Sequence, residues 1–121
     1  MHKIVFVDID GTLIDDCGKA KPQILSAVIG HIQDGDYVYF WSIGGINYVN
    51  VEIDKIFGKV LPPFVCFGKA EEDSLLKAWS KKGFQPDICY DDQPESIKEQ
   101  AERYKWDLSK ITIIQPTTRI D

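Results

Sequence analysis

Along the chain, the spacing of apolar positions alternates between a strand-like and a helix-like period. Ile4-Val5-Phe6-Val7 is a short unbroken apolar run, as expected of a strand covered on both faces. Pro22 then occupies the first position of a helix, with Leu25, Val28, Ile29 and Ile32 at helical spacing and Asp34-Gly35 as its stop. Tyr37 to Trp41 predicts a second strand that closes at Ser42. After the Gly44-Gly45 turn, Ile46, Val49, Ile53, Ile56 and Phe57 line one face of a second helix that stops at Gly58. Pro62-Pro63 breaks the chain before a third strand, Phe64 to Phe67. A third helix turns Leu75, Leu76 and Trp79 inward and ends at Gly83. Ile88 to Tyr90 is the fourth strand, and Pro94 starts a fourth helix with Ile97, Ala101 and Tyr104 inward. Ile111 to Ile114 is a last strand, halted by Pro116.

Strands separated by helices of this length imply right-handed crossovers and an open parallel sheet. No internal repeat, low-complexity tract or linker interrupts the pattern, so residues 1–121 read as one domain. Apolar residues make up 44% and charged residues 27%, the balance of a soluble globular protein. The net charge of −5 argues against broad nucleic-acid or anionic-membrane binding, both of which need a basic surface. A phosphorylated ligand stays open, because a bound cation can reverse the local field.

The first apolar run is shorter than the roughly 7–15 residues of a secretory h-region, so it reads as a strand and not a signal peptide. No stretch approaches the roughly 20 apolar residues of a membrane span. The three cysteines, Cys17, Cys66 and Cys89, are odd in number and lack a CxxC spacing. They read as reduced thiols of a cytoplasmic protein, without a disulfide framework or structural zinc.

In open parallel sheets, ligands bind beyond the carboxyl ends of the strands, near the point where strand order reverses. Polar residues gather at those ends. Asp8 and Asp10 close the first strand, Ser42 the second, Lys69 follows the third, and Asp91-Asp92 close the fourth. Asp8 and Asp10 lie two apart on what reads as an extended segment, which sends both side chains to one face. Gly11 then lets the backbone turn and leaves its amide open to an anion. Two like charges about 4 Å apart repel by roughly 4 kcal/mol at an effective dielectric near 20. A shared crevice of such acids therefore needs protons or a hard cation, and oxygen-only donors favour magnesium over zinc.

Asp8-Ile9-Asp10-Gly11-Thr12-Leu13, directly after an apolar strand, resembles the first motif of the haloacid dehalogenase (HAD) superfamily. Ser42 is similar to that family's second motif, a lysine ahead of the fourth strand to its third, and Asp91-Asp92 to the paired-acid form of its fourth. The resemblance runs from Ile4 to about Asp92. The fold expected is a three-layer α/β/α, Rossmann-like open parallel sheet of about five strands in the order 3-2-1-4-5. Neither the segment from Thr12 to Lys21 nor the one after the third strand has room for a cap domain, so the resemblance is to a small capless member.

The resemblance implies a Mg2+-dependent phosphomonoesterase. Asp8 would attack phosphorus and form an aspartyl-phosphate. Asp10 would protonate the leaving oxygen and then activate water. Magnesium would be held by the Asp8 carboxylate, the Asp10 backbone carbonyl and one acid of the fourth motif, with Asp92 favoured and Asp91 supporting it. Ser42, the amide of Ile43 and the lysine would cradle the phosphoryl oxygens, beside Gly11. Lys69 is preferred for that lysine, and Lys59, behind the Gly58 helix stop, is the reserve.

Other residues carry less. Asp15 and Asp16 read as the solvated surface of a short flap, and His31 as an ordinary helix residue. Trp41, Trp79 and Trp106 read as core. A signalling receiver domain would place its phosphorylated aspartate after the third strand, where this chain has Gly68. Neither GxxxxGK[ST] nor GxGxxG occurs, which removes the common nucleotide-binding loops. The competing functions are an inactive HAD-fold binding or assembly protein and a phosphotransferase. The expected partner is a phosphorylated substrate: a sugar, lipid precursor, protein or phosphorylated nucleic-acid end. A homo-oligomer is compatible with the chain.

Overall fold

A central strand, β1 (Ile4–Asp8), pairs in parallel with β2 (Tyr37–Ser42) on one side and β4 (Ile88–Tyr90) on the other. β3 (Cys66–Gly68) extends the sheet beyond β2, and β5 (Thr112–Ile114) extends it beyond β4. The order is therefore β3-β2-β1-β4-β5, all parallel, as expected from the sequence. This is a computed structural model, and it describes residues 2–60 and 63–116. The crossovers are α1 (Pro22–Gln33), α2 (Ile46–Phe57), α3 (Ser74–Ser80) and α4 (Pro94–Tyr104), followed by a short 3-10 turn at Leu108–Lys110.

The pleat of β1 divides the core into two layers. Val5 and Val7 face one side, where Ile24 and Val28 of α1 and Val49 and Ile53 of α2 cover them. Phe6 faces the other, among Trp41, Phe67, Leu76 of α3, Ile97 and Ala101 of α4, and Trp106. This second layer is aromatic. The Phe6 ring lies 4.9 Å from Trp41, 5.6 Å from Phe67 and 5.8 Å from Trp106, centroid to centroid. Trp79 packs partly buried at its margin, so all three tryptophans belong to the core.

Local chemistry accounts for the element ends. Pro22 and Pro94 each sit in the first turn of their helices, where a missing N–H costs nothing. The Asp73 carboxylate accepts from the Leu75 and Leu76 amides and caps α3. At the sheet's opposite end, the His31 ring bridges Asp36 at 2.7 Å and the Tyr90 hydroxyl at 2.8 Å. The other Asp36 oxygen accepts from the backbone N–H of Lys3. His31 thus ties α1 to β4 and to the turn before β2, beyond the plain helix role read from the sequence.

Several expectations are corrected. α1 buries Ile24 and Val28, while Ile29 and Ile32 are exposed and Leu25 is only half-buried. Ile46 and Leu75 are likewise exposed at the starts of α2 and α3. The third strand begins at Cys66, two residues later than expected, and runs on to Gly68. Pro62, expected to break the chain with Pro63, lies outside the described residues. Residues 9–21 and 69–73 are the connections after β1 and β3, and neither carries an added domain. No helix among the described residues is long and apolar enough to cross a membrane.

Two measurements check this packing. Phe6→Ala should cost about 3–5 kcal/mol, read from urea unfolding, because it removes a ring at the centre of the aromatic layer. A loss below about 1 kcal/mol would mean that the layer does not pack as one unit. The Lys3 amide, then the His31 ring, hold the Asp36 carboxyl below the usual carboxylate range. A lowered folded pKa contributes stability above the unfolded value, about 4, and loses it as pH falls through the folded one. Asp36→Asn should therefore flatten part of the acid-side fall in unfolding midpoint below about pH 4.

Candidate functional site

Four strand tips, those of β1 to β4, and the turn after β1 border one cavity of about 260 Å³. Asp8, Asp10, Gly11, Ser42, Ile43, Lys69, Asp91 and Asp92 all border it, so every residue expected at the site is brought together. Lys59 lies elsewhere, beside Val60 and Phe64, and is exposed. The lysine of the site is Lys69.

β1 ends at Asp8, and the chain turns at once. The Thr12, Leu13 and Ile14 amides bond back to the Ile9 carbonyl. Asp10 therefore arrives on a turn and not on the extended segment expected from the sequence. Gly11 takes φ +76, a left-handed conformation that disfavours side chains. Any Cβ there would also collide with the Asp92 carboxylate. Only glycine lets the turn pass this close to the acids.

At the centre, Lys69 is buried. Its ammonium donates to Asp8 Oδ1 at 3.1 Å and to Asp91 Oδ2 at 2.5 Å, and lies 5.0 Å from the centre of the Trp41 ring. The Lys69 backbone is fixed from three sides. Its N–H donates to the Ser42 carbonyl, and its own carbonyl accepts from Gln100 Nε2 and from Arg103, both on α4. The Thr12 hydroxyl donates to Asp8 Oδ2 at 3.2 Å and accepts from the Asp92 amide at 3.0 Å. Asp91 Oδ1 accepts from the Gln93 amide.

Asp10 stands on the β2 side. Its Oδ1 accepts a hydrogen bond from the Tyr48 hydroxyl, and its Oδ2 faces the Ser42 hydroxyl at 3.5 Å. Burial, together with this bond to Asp10, holds the Tyr48 hydroxyl above the usual phenol range.

The electrostatics are unbalanced toward negative charge. Burial pushes the Asp8 carboxyl up to about 7; the Lys69 ammonium pulls it down, and Asp91 adds to the rise. Burial also raises Asp91, again with Lys69 opposing. One oxygen from each of Asp8, Asp91 and Asp92 falls within 4.8 Å of the others. Three carboxylates against one ammonium, with oxygen donors alone, fit a hard divalent cation.

Several contributors went unassigned in the sequence. Thr12 stood inside the first motif without a role. Gln93 and Ser96 border the cavity from the start of α4. Asp16, read as solvated surface, is exposed and also reaches its rim. Tyr48, in the first turn of α2, and Gln100, within α4, bond to site residues, and no spacing signal marks them.

No protein-family model matches the chain, and no match is found among curated proteins or solved structures. The arrangement itself gathers two acids of the first motif, a cluster of three carboxylate oxygens, and the Lys69 ammonium and Ser42 hydroxyl around one cavity.

Removing one member of a buried ion pair leaves the other charge uncompensated. Lys69→Met should therefore cost about 3–5 kcal/mol in urea unfolding without divalent cations. A cost under about 1 kcal/mol would mean that the ammonium does not hold the acids.

Proposed function

We propose that this chain is a magnesium-dependent phosphomonoesterase that acts through a phosphorylated Asp8. The observation that carries the reading is the convergence of Asp8, Asp10, Ser42, Ile43, Lys69, Asp91 and Asp92 on one cavity. The haloacid dehalogenase resemblance assigns these positions the same roles.

The Asp8 and Asp92 carboxylates and the Asp10 backbone carbonyl would hold the ion, with Asp91 supporting through its pair to Lys69. Bound there, magnesium supplies positive charge against the carboxylates and the transferring phosphoryl group. In the first step, an Asp8 oxygen forms a bond to phosphorus as the ester P–O bond breaks. Asp10 gives its proton to the departing oxygen. Lys69, the Ser42 hydroxyl and the Ile43 amide donate to the phosphoryl oxygens, where fixed donors stabilise developing charge without reorganising. In the second step, Asp10, now a carboxylate, takes a proton from water as that water attacks phosphorus. The Asp8–phosphorus bond breaks, phosphate leaves, and the Asp8 carboxylate is restored.

The test is hydrolysis of p-nitrophenyl phosphate with and without magnesium. Turnover should require the ion and fall by about 10³-fold or more in Asp8→Asn, whose circular-dichroism spectrum should stay that of the wild type. Magnesium at a hundredfold excess over its dissociation constant should also stabilise the wild type by about 2.7 kcal/mol, and Asp92→Ala should weaken that response. Turnover retained in Asp8→Asn, or indifferent to magnesium, overturns the reading.

A further inference from the structure

A groove of about 500 Å³ opens beside the reaction cavity, between the start of α2 and the segment joining β3 to α3. Ile43 borders both, so the two spaces adjoin. The volume falls in the range of small-molecule sites. Ile43 and Ile46 stand 65% and 45% exposed on its wall, apolar side chains set at the strand ends where ligands seat. Gly68 and Ala70 bring little side-chain bulk to its lining. Of the acids on the rim, Glu72 pairs with Lys77 at 2.7 Å, and Asp73 caps α3. Glu71 has no salt-bridge partner among the described residues.

The position of Asp10 selects this groove over the other space beside the site. Its carboxylate is held by Tyr48 of α2 and Ser42 at the tip of β2, whereas Asp91 and Asp92 follow β4. In the proposed reaction, the departing oxygen takes its proton from Asp10, so the leaving group exits over β2 and β3. The groove lies there. A second cavity, about 410 Å³, shares Gly11, Asp16 and Asp92 with the reaction cavity and is also bordered by Asp15, Lys21 and Gln115, on the side of the Asp92 carboxylate and away from β2 and β3.

We propose that the groove receives the leaving group of a phosphomonoester and selects one with an apolar face and no negative charge of its own. This rests on the phosphatase reading. Ile43 and Ile46 supply the apolar contact, and Glu71 with the site's own acids repels a second phosphate or a carboxylate. Sugar bisphosphates and phospho-acids are disfavoured; single phosphate esters of aryl or amine-bearing alcohols are favoured.

The experiment compares kcat/KM with saturating magnesium for 4-(aminomethyl)phenyl phosphate, 4-(carboxymethyl)phenyl phosphate and acetyl phosphate. The two aryl esters share the phenyl phosphate core and differ in the charge of the para substituent; acetyl phosphate leaves the groove empty. Wild type should favour the aminomethyl over the carboxymethyl ester by about threefold or more at low salt, and Glu71→Lys should reverse that order. Ala70→Trp, which adds bulk to the groove's lining, should raise KM for both aryl esters by about fivefold or more and change acetyl phosphate less than about twofold. An unchanged order in Glu71→Lys, or an equal loss on all three probes in Ala70→Trp, overturns the groove assignment and leaves the phosphatase reading standing. Turnover of no probe above the level of Asp8→Asn overturns both.

Discussion

The Lys69 ammonium, buried between the Asp8 and Asp91 carboxylates, is the contact on which the rest of the site depends. Desolvating a cation and two anions costs several kcal/mol per ion unless each finds close partners. Those partners come from β1, from the end of β3 and from the end of β4. They meet only because β1 lies at the centre of the sheet, with β2 and β3 on one side and β4 on the other. The backbone around Lys69 is correspondingly over-determined. β2 takes its N–H, α4 takes its carbonyl through Gln100 and Arg103, and the Trp41 ring lies beneath its charge. The aromatic layer packed on Phe6 is the platform that carries this arrangement.

Much of this was legible in the sequence because it follows from local rules. Pro22 and Pro94 fix helix starts, unbroken apolar runs mark two-faced strands, and crossovers of helix length dictate parallel pairing. Given the sheet, the rule that ligands lie beyond strand ends was enough to gather Asp8, Ser42, Lys69 and the Asp91-Asp92 pair. The helix faces were read less well. Ile29 and Ile32 keep helical spacing with Val28, yet the sheet takes Ile24 and Val28, one turn apart along a single stripe. Periodicity reports that a stripe exists; the tilt of the helix on the sheet decides which residues fill it.

The site residues that escaped the sequence share a different cause. Tyr48 is 38 positions from Asp10, and Gln100 is 31 from Lys69, so neither pairing leaves a trace in spacing. Both are set by how a crossover helix lies over its strand. The choice between Lys59 and Lys69 is of the same kind. Each follows a glycine near the third strand, and β3, running to Gly68, puts Lys69 at the mouth of the sheet. A strand expected to start two residues early still placed Lys69 beside the cavity, because Gly68-Lys69 follows the apolar run with either start.

The rim is asymmetric, and the asymmetry has a physical origin. On the β4 side, Thr12 binds both Asp8 and the Asp92 amide, and Gly11 lets the turn press against the Asp92 carboxylate, which concentrates negative charge there. On the β2 side, Ser42, Tyr48 and the exposed Ile43 present hydroxyls and apolar surface around a single acid. On the proposed reading, a metal ion would be drawn to the first side and a group without negative charge to the second, which would give a bound ester one favoured orientation. In a chain with no added domain after β1 or β3, that orientation comes from the sheet order and the two turns at its centre. The groove over β2 and β3 opens on the side where Ile43 borders the cavity.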